Sequence, residues 1–246
     1  MPGWVPAEFG APATVHAGHT TRTGGVSTGP FASLNLASHV GDDPGHVRAN
    51  RARLAASLAL PDEPLWLRQV HGTAVAVHDG TAREPEADAA VAFEPGRVLA
   101  VLTADCLPVV FAARDGGRIG IAHAGWRGLA GGVLEATVRA LGLPGPELRA
   151  WLGPAIGPAA FEVGPEVRAA FVAPDPGAAG ALTANARGRW QADLYSLARR
   201  RLAALGIAAV AGGGECTCLG TSRYYSFRRE AVTGRLATLA WIGGRR

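Results

Sequence analysis

The chain has 246 residues, 48% of them hydrophobic and 18% charged, a formal net charge of +4 and no lysine, since all 24 basic residues are Arg. That length fits one large domain or two small ones. The missing lysine excludes Schiff-base chemistry and a Walker-type phosphate loop, both of which need its amine.

The longest apolar runs, such as VLAVLTA, fall far short of a bilayer span, so no membrane is an expected partner. The Arg residues are scattered rather than clustered, so no nucleic acid is expected either. The opening MPGWVPAEFG has no basic or apolar signal region, and three Cys show no framework spacing. A cytoplasmic protein with reduced thiols is the expectation.

The first strand-like run is Thr14–Gly18. The polar, Gly-rich stretch 21–43 follows, carrying Arg22, Ser27, Asn35 and His39. It reads as a surface loop with turn chemistry or as an active-site loop. Asp43 and Pro44 look like an N-cap with Pro at the first helical position, opening a helix through GHVRANRARLAASLAL. Leu65–Val70, Ala74–His78, Ala89–Phe93, Val98–Leu102, Leu107–Ala112 and Arg118–His123 are strand-like. Several are apolar at consecutive positions, as strands buried on both faces are.

Apolar spacing at Leu129, Val133, Leu134, Val138 and Leu141 predicts a helix over Leu129–Leu141, stopped by Gly142. Leu148–Leu152 reads as a strand and Pro165–Val172 as a helix. The segment 174–189, PDPGAAGALTANARGR, is the most loop-like, a mobile excursion within one domain. A helix over Ala192–Leu205 ends at Gly206, and a strand over Leu236–Ile242 follows. Many strands, few helices and no regular βαβ alternation argue for an α+β fold of layered sheets rather than a doubly wound one.

Three residues stand where strand-like runs end: His71 in LRQVHGTAV, Cys106 in LAVLTADCLPVV and His123 in IGIAHAGWRG. Two imidazoles and a thiolate suit a tetrahedral zinc whose fourth position is open, the arrangement of catalytic sites. Each residue also has an ordinary reading. Cys106 serves as a small buried hydrophobe, and a strand-end His is satisfied by a backbone carbonyl. The separations are long, unlike the short ligand pairs of zinc fingers, so spacing leaves both readings open.

In HAGWRG, Arg127 stands beside the free amides of a helix start, which suits an anion or a packed corner. Cys216 and Cys218 form a C-x-C without a second pair. Arg228 and Arg229 follow the aromatic Tyr224 and Tyr225, as phosphate contacts or a solvated end. Two imidazoles and a thiolate are also the blue-copper set, usually with an axial Met. The one Met is Met1, and seven His are too few for a trinuclear cluster beside a blue site. Cys106 as nucleophile with His123 as base would make a cysteine hydrolase. A metal-stabilised, non-catalytic partner protein is the third rival.

The motifs TRTGGVS, SLNLASHVGDD, RQVHGTAV, LTADCLPV, HAGWRGL, GPAIGP, FEVG and CTC…YYSFRRE…TGR run nearly end to end. In these motifs and their order the chain resembles the YfiH family. That family was long labelled multicopper polyphenol oxidase or laccase-like, and its bacterial members are also called peptidoglycan editing factor. The resemblance implies a single domain over 1–246, four-layer α/β/β/α with mixed β-sheets. It implies one zinc on His71, Cys106 and His123.

It also implies a purine nucleoside phosphorylase acting on adenosine, inosine, guanosine and methylthioadenosine, with adenosine deaminase activity. Purine nucleosides and phosphate are then the partners of a monomer or small homo-oligomer. Members commonly have Cys where this chain has Ala155, so no thiol is available there. Tyr224 and Tyr225 replace a Phe-rich run conservatively.

Under this reading Cys106, His123, His71 and Asp105 form the catalytic set. Asp105, adjacent to a ligand, is a general acid/base or the residue that orients an imidazole. Arg22, Arg48, Arg127 and Asn35 are the candidates for holding substrate and phosphate. The alternatives are a peptidoglycan-precursor amidase with Cys106 as nucleophile and a copper polyphenol oxidase.

Overall fold

Strands that are apolar on both faces need cover on both faces. This chain supplies it with two sheets stacked face to face and helices outside each. The computed structural model describes residues 3–81 and 83–244. In chain order, strands β1 (Trp4–Pro6) and β2 (Val15–Thr20) precede helix α1 (Pro44–Leu58). Strands β3 (Val75–Val77), β4 (Ala89–Ala92), β5 (Val98–Thr103), β6 (Leu107–Ala113) and β7 (Ile119–Ala124) follow. Then come α2 (Trp126–Gly131), α3 (Val133–Leu141), β8 (Leu148–Leu152), β9 (Glu162–Val163) and α4 (Pro165–Val172). The last are β10 (Leu182–Ala184), β11 (Trp190–Ala192), α5 (Leu194–Ala204), β12 (Ala209–Gly212) and β13 (Leu236–Ile242).

One sheet has the order β1-β2-β13-β5 and is antiparallel throughout. The other has the order β12-β8-β6-β7-β4-β3 and is mixed, with parallel pairs at both edges. A small sheet, β10-β11-β9, lies apart. Alternation along each strand divides the apolar residues between layers. In β5, Leu99 and Val101 face the other sheet and pack with Ala90, Val110 and Ile121. Val98, Ala100 and Leu102 face outward, onto Leu34 and Leu36 of the stretch before α1 and Leu54 of α1. In the larger sheet Val91, Val109 and Phe111 face Leu134 and Val138 of α3 and Leu197 of α5. The layers therefore read α/β/β/α, as the resemblance implies. Among the described residues, no helix is long and apolar enough to cross a membrane.

Asp43 caps α1, its carboxylate accepting from the N–H groups of Gly45 and His46 at 2.6 and 3.1 Å. Three expectations change. Leu65–Val70 forms isolated bridges, Leu65 to Leu99 and Arg68 to Glu86, rather than a strand. Its backbone switches partners along the way, from Val98 to Pro85 and then to the Asp88 carboxylate. The helix expected over Leu129–Leu141 is two helices, broken at Gly132, whose φ of 99° leaves the right-handed region. The segment 174–189 is structured. It holds a 3₁₀ turn over Pro176–Ala181 and strand β10, and it buries Ala178, Ala181 and Leu182. Small alanines pack closely there, which hides the core contact in a loop-like composition.

Candidate metal centre

Antiparallel pairing brings the key positions to one edge of the larger sheet. Strand β6 pairs with β7 through Leu107–Ala124 and Pro108–His123, and β4 pairs with β7 through Ala89–Ala122. Cys106 immediately precedes β6, Asp88 immediately precedes β4, and His123 lies at the end of β7. They therefore converge. His71 arrives from a loop with a φ of 61°.

Asp88 organises the group. It is fully buried, and its Oδ1 accepts from the His71 N–H at 2.9 Å. Its Oδ2 accepts from the N–H groups of Val70 and Gly72 at 3.1 and 2.6 Å. The same Oδ1 lies 2.8 Å from His123 Nδ1. One carboxylate thus fixes the loop that carries His71 and the ring of His123. A hydrogen bond at Nδ1 leaves Nε2 of His123 free as a ligand, the arrangement that commonly backs a metal-binding imidazole.

The ligand atoms of His71, Cys106 and His123 all lie within 4.8 Å of one another. Cys106 Sγ is 3.8 Å from His71 Nε2. Nitrogen and sulfur ligands around a tetrahedral zinc sit roughly 3.5 Å apart, so small shifts suffice to close the set. Among the described residues this is the one such group. Gly125 of HAGWRG makes room for it. A Cβ there would sit 2.9 Å from Cys106 Sγ and 3.0 Å from His71 Cδ2.

The electrostatics suit a bound cation. Burial alone would raise the Cys106 thiol, but the His123 charge and hydrogen bonds from both imidazoles pull it down. Burial alone would lower His123, but the Cys106 thiolate and the Asp88 hydrogen bond hold it up. A thiolate is what a soft metal ligand requires.

The three residues line a cavity of about 240 Å³ with His39, Gln69, Leu102, Thr103, Ala104, Phe227 and Arg235. Gln69 locks its wall, donating to the Leu102 carbonyl at 2.9 Å and accepting from the Leu102 N–H at 2.8 Å. Phe227 is 56% exposed, an apolar surface at this cavity.

The other expected site residues lie elsewhere. Asp105 turns away from the imidazoles, at a φ of 97°. Its Oδ1 accepts from Thr217 Oγ1 at 2.6 Å, and its Oδ2 accepts from Ser226 Oγ at 3.0 Å and the Arg228 N–H at 2.7 Å. It clamps the 217–228 segment, and Asp88 holds the position behind the histidines instead. Arg22 donates to the carbonyls of Ala32 and Thr221 and stacks on Tyr225. Arg48 is exposed on α1, and Arg127 is exposed and stacks on Trp126. None of these three lines the cavity; the arginine that does is Arg235. Asn35 is fully buried and acts within the fold. Cys216 accepts from the Gly157 N–H and joins no ligand group, while Arg228 and Arg229 donate to backbone carbonyls. Asp88 precedes an apolar strand as Asp105 does, and that was its one signal in the sequence.

The sequence pattern of a family described as multi-copper polyphenol oxidoreductase laccase matches residues 16–243. The chain belongs to this family, the YfiH family. Among its relatives, a purine nucleoside phosphorylase of Pseudomonas aeruginosa is 54% identical over 98% of this chain and 99% of its own length. The purine nucleoside phosphorylase YfiH of Escherichia coli is 49% identical over 94% of this chain and 95% of its own. The crystal structure of a Neisseria meningitidis protein, assigned to DUF152, superposes with a TM-score of 0.94 at 46% identity. It covers 98% of this chain and 100% of its own. YlmD from Geobacillus stearothermophilus gives 0.88 at 34% identity, covering 98% and 97%. The YfiH fold is thus shared over nearly the whole chain.

Proposed function

We propose that this YfiH-family protein is a zinc-dependent purine nucleoside phosphorylase. Its substrates are adenosine, inosine, guanosine and methylthioadenosine, and it also deaminates adenosine. It acts in the cytoplasm, as one domain, in a monomer or small homo-oligomer. The observation that carries the reading is the group of His71, Cys106 and His123 in the wall of an open cavity, together with relatives named for that activity.

The donor set favours zinc over copper. Two nitrogens and a thiolate around one open position suit zinc, and the cavity lining contains no methionine for a blue-copper axial ligand. Zinc bound there would supply Lewis acidity and positive charge beside the substrate. The chain's own residues do the rest. Asp88 holds His123 and the His71 loop in register, and Gly125 keeps the wall thin enough for the ligands to meet. Phe227 offers an aromatic surface against which a purine can lie.

The test is incubation with adenosine, with and without phosphate, and chromatography of the products. Adenine or hypoxanthine with ribose 1-phosphate, formed only with phosphate and lost on chelation, supports the reading. Inosine alone reduces it to a deaminase. A second reading has one observation in its favour: Cys106 Sγ lies within 4.8 Å of a ring nitrogen of His123, the nucleophile beside its expected base. That reading is an amidase on a peptidoglycan precursor. It predicts amide cleavage by metal-free protein, abolished by alkylating Cys106.

A further inference from the structure

Arg235 lines the metal-centre cavity and, among the described residues, forms no direct ion pair with a carboxylate. Its Nη1 donates to the carbonyls of Thr233 and Gly234 at 2.9 and 3.1 Å. The guanidinium also lies over the Phe227 ring, 5.7 Å from its centroid. Burial disfavours this half-buried cation, and the nearby Cys106 and Asp105 charges offset only part of that, so an oxyanion entering the cavity would be stabilised beside it. The chain has no lysine, so every fixed cation is an Arg, and Arg presents a planar fork suited to two oxygens of one oxyanion.

His39 lines the same cavity, and burial first and the Arg235 cation second disfavour its protonation. Asn35 fixes the geometry from behind. Its Oδ1 accepts from the N–H groups of Arg235 and Ala37 at 2.9 and 3.1 Å. Its Nδ2 donates to Asp42 Oδ2 and to the Ala37 carbonyl at 2.9 and 3.0 Å. The loop carrying His39 and the entry to β13 carrying Arg235 are thereby tied together.

We infer that Arg235 anchors orthophosphate in the metal-centre cavity, with His39 as a further donor and Asn35 as the positioning residue behind them. The identity of the anion rests on the phosphorylase reading. The existence of an oxyanion site rests on the geometry alone.

The test measures orthophosphate binding to zinc-loaded protein by calorimetry, without nucleoside, for wild type and for Arg235→Gln, Arg235→Lys and Arg48→Gln. KM values for phosphate and nucleoside are measured in parallel, and zinc content is checked in each variant. Arg235→Gln is expected to weaken phosphate roughly 10- to 100-fold, the worth of a charge-assisted hydrogen-bonding partner. KM for nucleoside stays within roughly twofold, because only the anion contact is lost. Arg235→Lys is expected to fall between, and Arg48→Gln to match wild type.

Unchanged phosphate affinity in Arg235→Gln overturns the inference, as does an equal loss in Arg48→Gln. If Arg235→Gln does not fold, Arg235→Lys carries the test, and wild-type phosphate affinity in it overturns the assignment. Phosphate binding that depends on Arg235, in a wild type that turns over no nucleoside, upholds the anion site and removes the phosphorylase reading.

Discussion

Replacing Asp88 by Asn tests the organisation of the centre most directly. The carboxylate accepts four hydrogen bonds, two on each oxygen, from Val70, His71, Gly72 and His123. An amide has one oxygen and one NH₂. If its oxygen takes the Oδ1 position, the NH₂ faces the N–H groups of Val70 and Gly72. If it takes the Oδ2 position, the NH₂ faces the N–H of His71 and forces His123 to accept at Nδ1. The proton then moves to His123 Nε2 and blocks it as a ligand. Leaving one or two buried donors unpaired costs about 1–3 kcal/mol each. Melting of metal-free protein should therefore fall by roughly 5–20 °C for a chain of this size. Losing the group that orients a ligand should weaken zinc roughly 10- to 100-fold. Chelator competition reads the affinity, and calorimetry reads the melting. Asp105→Asn is the comparison. Two of its three partners are hydroxyls that can reorient, so stability falls but zinc affinity stays within roughly threefold. Wild-type zinc affinity in Asp88→Asn, or an equal loss in Asp105→Asn, would refute the reasoning.

Gly125→Ala should spread the ligand set, since its Cβ would press on Cys106 and His71. The expected result is a turnover loss of roughly 100-fold with near-wild-type melting, and unchanged turnover would remove the close-approach argument. Leu134→Ala, fully buried between α3 and the larger sheet, should cost about 2–5 kcal/mol in urea denaturation without altering zinc affinity in the folded protein. Buried His19 is depressed from 6.5 to about 4, by burial first and Arg223 second. Its neutral form is the one folding favours, so its stabilisation is complete above pH 6.5 and is lost as pH falls toward 4. The span is about 3 kcal/mol. Burial lowers His39 and His78 in the same sense. Urea midpoints should drop between pH 7.5 and 5, less steeply in His19→Gln, and equal slopes would count against His19 as a source.

The sequence made the sheets and the three ligands legible for different reasons. Strands such as VLAVLT announce two-sided burial by being apolar at every position, and the helix after Asp43 announces itself through its cap. His71, Cys106 and His123 are rare residue types at breaks between such runs, so chemistry singles them out. Asp88 and Arg235 belong to common types, and only pairing between distant strands gives them meaning. Asp105 drew attention because it neighbours Cys106 in sequence, yet the left-handed bend at Asp105, between β5 and β6, turns its carboxylate away from the thiol and onto Thr217 and Ser226. Asp88 is 35 residues from His123, and the pairing of β4 with β7 sets them side by side. The same logic selects among the arginines. Strand β13 runs antiparallel to β5 with Leu236 opposite Thr103, which places Arg235 beside the turn that carries Cys106. Arg22 and Arg127 stand in motifs that look more functional, but no register brings either guanidinium to the cavity. Once the order β2-β13-β5 is known, Arg235 follows from counting residues. Without it, 24 arginines look alike.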